Sequence, residues 1–104
     1  DVGHLAPDQT EFGVRISGDS MEPLYHTGDV AWIQKKDSIA NGEIGIFYLN
    51  GNTYIKELHD EPDGVFLVSL NEKYQPIQVL ESDSFKIFGK VIGKCKGAEI
   101  PGFH

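Results

Sequence analysis

The chain has 104 residues, 39% of them hydrophobic and 24% charged, with a formal net charge of −7. That is the composition and size of one globular domain able to bury a core without staples. Nine Lys and Arg against sixteen Asp and Glu leave no cationic footprint for phosphates, so a direct nucleic-acid-binding role is not expected of this domain.

The first element predicted is a strand in EFGVRISG (11–18), where Phe12, Val14 and Ile16 share one face and Gly18 closes the run. MEPLYHTGD (21–29) carries Pro23 and Gly28 and reads as a turn with at most one helical turn. DVAWIQK (29–35) and GEIGIFYLN (42–50) are strands, and Asn50-Gly51 is a strong hairpin signal returning the chain through NTYIKELH (52–59). A second hairpin turns at EPDG (61–64) into VFLVSLN (65–71). IQVL (77–80) and FKIFGKVIGK (85–94) complete the set, the last with imperfect alternation; its charges read as those of an exposed or edge strand. No long 3.6-residue apolar repeat interrupts the pattern, so the expected fold is mostly β, antiparallel and rich in hairpins.

The single cysteine, Cys95, rules out an internal disulfide and an all-Cys metal site, and suits a reducing compartment. No stretch approaches 18 apolar residues, and the first ten residues, DVGHLAPDQT, have neither the basic start nor the apolar core of a signal peptide. A cytoplasmic protein without a membrane contact is expected.

The chemistry centres on GDSMEP (18–23), which sets a serine at a strand end before a proline-bounded turn. A serine hydroxyl needs a base to become a nucleophile. His4, His26, His59 and His104 fall in no triad signature and have no metal-ligand spacing. A lysine can serve if it is neutral, which burial favours by lowering its pKa from about 10.4. Lys35, Lys36, Lys73, Lys94 and Lys96 lie in polar turns or near strand ends, and Lys86 and Lys90 alternate outward. Lys56 shares its strand face with Tyr54 and Leu58. That pattern fits an amine among hydrophobes, and equally a half-exposed face on which Lys56 extends its amine to water.

The ordered set GDSMEP, Gly28-Asp29 with DVAWI, GEIGIFYLNGNTYIKEL, FLVSLNEKYQPIQV and FKIFGKVIGK resembles the self-cleaving C-terminal domain of LexA-type and phage repressors, a family that includes UmuD. The resemblance runs from about Phe12 to Gly97 and implies a Ser-Lys dyad of Ser20 and Lys56. It also implies an oxyanion site at the Asp19-Ser20 turn, closed tightly by Gly18 and shaped by Met21, with no cofactor and no metal. Asp19 itself reads as a turn residue capping local amides. In such proteins the scissile bond, Ala-Gly or Cys-Gly, lies in a linker to a DNA-binding helix-turn-helix domain. Neither dipeptide occurs here and only 19 residues precede Ser20. The expectation is therefore one domain over 1–104, with 1–10 a linker remnant, and DNA contact only through an N-terminal domain absent from this sequence.

The resemblance further implies a homodimer that cuts its own linker, triggered by a RecA filament or an antirepressor. Three other readings fit parts of the pattern. One is a catalytically idle assembly module in which FKIFGKVIGK pairs edge to edge with its copy. Another is a type I signal peptidase, which shares Ser-Met-x-Pro and a later lysine. The last is a β domain with a chance motif.

Overall fold

A computed structural model describes residues 8–96. Seven strands form: β1 (Phe12–Arg15), β2 (Val30–Lys35), β3 (Ile44–Leu49), β4 (Asn52–Glu61), β5 (Gly64–Val68), β6 (Ile77–Val79) and β7 (Phe85–Cys95). They make one curled sheet in the order β1-β2-β7-β3-β4-β5-β6, every pairing antiparallel, with no helix among the described residues. The mostly-β, hairpin-rich fold read from the sequence is the fold observed.

Local chemistry accounts for most of the elements. Asn50 and Gly51 both adopt positive φ, 49° and 93°, the backbone that a two-residue hairpin turn matching strand twist requires. The segment 21–29 is a turn containing one helix-like bond, from Tyr25 N–H to the Met21 carbonyl at 2.9 Å. Of the linker expected over 1–10, residues 1–7 lie outside the described residues, as do Gly97 and the C-terminus. The Gln9 side chain accepts a bond from Gln34 Nε2 at 3.1 Å.

One expectation is corrected. FKIFGKVIGK is not an edge strand: β7 lies inside the sheet, paired with β2 along Gly89–Cys95 and with β3 along Phe85–Lys90. The edge strands are β1 and β6, so edge-to-edge pairing through β7 is set aside. Its imperfect alternation has a cause in this position. The register slips opposite Trp32/Ile33 and opposite Ile46/Phe47, leaving Ile92 and Phe88 as extra residues that reset which face follows.

The core lies in three clusters. Ile16, Met21, Tyr25, Ala31, Ile33 and Ile46 form the first; Phe47, Leu49, Leu58 and Leu67 the second; Val30, Trp32 and Cys95 the third. The first binds the β1–β2 connection to the sheet, and the second ends beside Lys56.

Candidate active site

The β1–β2 connection carries Ser20. Its base is closed by ladder-like bonds from Ile16 N–H to the Asp29 carbonyl (2.8 Å) and from Gly28 N–H to the Ile16 carbonyl (3.0 Å). Thr27 Oγ1 tightens the neck, accepting from Gly18 N–H and donating to the Gly18 carbonyl. Gly18 sits at φ +88°, where a side chain would be strained. Met21, 2% exposed, drives its thioether into the first core cluster and so pins the turn from below. Ser20, next to it, is half-buried.

Lys56 comes from β4, flanked across the ladder by Gly45 of β3. The β4–β5 register pairs Glu57 with Val68, and one further step along it sets Ser69 opposite Lys56. Both are buried, at 7% and 8% exposure, and Lys56 Nζ donates to Ser69 Oγ at 2.8 Å. The rings of Tyr54 and Tyr74 lie 5.9 and 5.8 Å from the amine. Burial pushes the Lys56 pKa down from 10.5, because an ammonium loses hydration that these neighbours only partly replace. Of the two readings left open by the sequence, an amine carried out to water and an amine held among hydrophobes, the structure has the second.

Ser20 and Lys56 line one cleft of about 340 Å³, together with Met21, Ile46, Tyr54 and Ile55. The hydrogen bond of Lys56 goes to Ser69, not to Ser20. A larger hollow of about 600 Å³ beside Phe12, Lys35 and Phe88 brings no nucleophile to a buried base. Among the described residues, no three His, Cys, Asp or Glu side chains converge on a metal-binding arrangement. His26 pairs with Glu22 and His59 with Glu57; His4 and His104 lie outside the described residues.

Asp19 behaves differently from the local cap expected of it. Its carboxylate reaches the segment after β5, pairing with Lys73 Nζ at 2.7 Å and accepting from the Tyr74 hydroxyl. Lys73 first, then Tyr74, hold that carboxyl below its usual range. Asn71 adds two bonds to the same turn, from its N–H to the Ser20 carbonyl and from Nδ2 to the Asp19 carbonyl, both 3.0 Å. Sequence reasoning singled out neither Ser69 nor Asn71. The signal for Ser69 was present: in VFLVSLN it falls in phase with Leu67, on the core-facing side.

Comparison with known proteins agrees with this architecture. The sequence matches the family model described as Peptidase S24-like over residues 3–92. It is 40% identical over 92 residues to a LexA repressor of Carboxydothermus hydrogenoformans, covering 86% of this chain and 44% of the relative. A LexA repressor of Leptospira biflexa is 39% identical over 90 residues (86% and 43%), and one of Clostridium tetani 36% over 93 residues (88% and 45%). The chain thus spans less than half the length of these relatives. A match of this extent removes the chance-motif reading, and the resemblance drawn from the ordered motifs holds: the chain belongs to the Peptidase S24-like family, with LexA repressors among its relatives.

Proposed function

We propose that this chain is the C-terminal self-cleavage and dimerisation domain of a LexA-like or phage-type repressor, and that Ser20 and Lys56 are its catalytic dyad. The observation that carries the reading is a buried, pKa-depressed lysine amine opening into the same cleft as a half-buried serine on a pinned turn. In this reading the neutral Lys56 amine takes the Ser20 proton as Oγ bonds to the scissile carbonyl carbon. Backbone N–H groups of the Asp19-Ser20 turn receive the oxyanion. The C–N bond then breaks, and the Lys56 ammonium returns the proton to the leaving nitrogen. Water, deprotonated by the same amine, releases the acyl group as a carboxylate and restores the hydroxyl.

The substrate in this reading is the interdomain linker of the chain's own longer polypeptide, cut in the cytoplasm. DNA is reached only through the N-terminal domain of that polypeptide, and a RecA filament or an antirepressor is the trigger. The test is linker cleavage in the intact polypeptide from pH 6 to 10, with fragments read by mass. Cleavage should climb with pH, vanish in Ser20→Ala and fall at least about 10²–10⁴-fold in Lys56→Ala, the usual contribution of a general base. Lys56→Arg, charged at every pH tested, should be as inactive. Cleavage that survives Ser20→Ala, or its absence at every pH from folded wild-type protein, would sink the reading. The second outcome would leave the assembly module in its place.

A further inference from the structure

We infer that Ser69 is the positioning residue for the Lys56 amine, and that the segment Ser69–Tyr74 clasps both sides of the cleft in one register. The inference rests on the dyad reading above and adds a residue to it. Lys56 Nζ and Ser69 Oγ are 2.8 Å apart, and both side chains are buried. A neutral amine has two N–H groups and one lone pair. With one N–H committed to Ser69 and the rings of Tyr54 and Tyr74 beside the nitrogen, rotation about the Cε–Nζ bond is restricted. The lone pair is thereby kept off Ser69 and free for the cleft that Ser20 lines.

The same segment fixes the other partner. Two residues beyond Ser69, Asn71 holds the carbonyls of Ser20 and Asp19, and Lys73 and Tyr74 hold the Asp19 carboxylate. One stretch of six residues therefore touches the lysine at one end and the serine turn at the other. Correct spacing of nucleophile and base is where such a device acts, since a misplacement of about 1 Å can cost 10²-fold in rate.

The titratable and charged groups facing the Lys56 amine or its ring neighbours are Tyr54 on its own strand, Tyr74 from the clasp with the Asp19 and Lys73 that it contacts, and Arg15 across the cleft. A Ser69 substitution replaces none of them and removes the one bond that the amine makes to Ser69. Because Ser69 accepts from the amine, the bond favours the ammonium, and its loss should move the Lys56 titration to lower pH.

The experiment combines two readouts on Ser69→Ala, Ser69→Cys and Ser69→Thr. Linker cleavage in the full-length polypeptide gives a rate plateau and a pH midpoint. NMR titration of the Lys56 side-chain carbon next to Nζ gives the midpoint directly, without any cleavage. Ser69→Ala and the isosteric Ser69→Cys, a weak acceptor, should lower the plateau about 10–100-fold and shift both midpoints down. Ser69→Thr, which keeps the hydroxyl, should restore plateau and midpoint. If Ser69→Ala does not fold, Ser69→Cys decides. A Ser69 that merely packs would change the melting temperature and leave both midpoints in place, which overturns the inference. Cleavage as fast as or faster than wild type in Ser69→Ala overturns it as well. Failure of the dyad reading shows up separately, as wild-type polypeptide that does not cleave or cleaves without Lys56, while the NMR midpoint still reports whether Ser69 holds the amine.

Discussion

Lys56 is the residue at which stability and the proposed chemistry pull apart. An ammonium at 7% exposure is a cost to the fold, and the same burial lowers its pKa. Between that lowered value and the unfolded value near 10.5, the unfolded chain binds more protons than the folded one, so stability rises with pH through this window. Below the window both states carry the charge and the penalty stays at its full size. Lys56→Met keeps most of the side-chain volume and removes the charge. It should therefore melt at a higher temperature than wild type at pH 6 to 7, and the gap should close as pH approaches 10.5. Thermal melts of the two proteins across that range check this. A gap independent of pH would mean that the amine is solvated in the folded state.

At the scale of elements, what was legible and what was not divides by distance along the chain. β1 through β5 were readable because their signals are local: alternation in EFGVRIS, the hairpin dipeptide Asn50-Gly51, a turn at EPDG. The interior position of β7 was not, since its neighbours are β2 and β3, set by pairings more than 35 residues apart in sequence. Ser20 and Lys56 stood out through motif and pattern. The clasp that joins their surroundings did not, because the partners of Asp19 are Lys73 and Tyr74, on the far side of four strands in sequence. Asn71 tests that connection. Asn71→Ala keeps the backbone bond to Ser20 but loses two side-chain bonds, one to the Asp19 carbonyl and an exposed one accepted from Lys73 N–H, at a combined cost of about 1 kcal/mol. For a domain of this size that lowers the melting temperature by about 4–8 °C, and cleavage should slow by more than the stability loss explains. Unchanged cleavage in a destabilised Asn71→Ala would reduce the segment to a structural link.

For the molecule as a whole, the site draws on both halves of the sheet. Ser20 hangs between β1 and β2, Lys56 lies on β4 and Ser69 directly follows β5, and β7 joins the halves by pairing with β2 on one side and β3 on the other. The proposed dyad, assembled this way, stays in register only if the halves unfold together. Trp32, the single tryptophan, is buried in the cluster with Val30 and Cys95 at the β2 end. Leu67 is fully buried in the cluster of Phe47, Leu49 and Leu58 on the other side of β7. Leu67→Ala leaves a cavity there and should cost about 2–5 kcal/mol. In a cooperative sheet, urea unfolding followed by Trp32 fluorescence and by far-UV circular dichroism should shift together by that same amount, with coincident midpoints. If instead the Trp32 transition stays where it is while the dichroism transition moves or broadens, the halves unfold separately. The geometry of the cleft would then depend on docking across β7 rather than on a single core, and substitutions on either side of it could open the site without unfolding the chain.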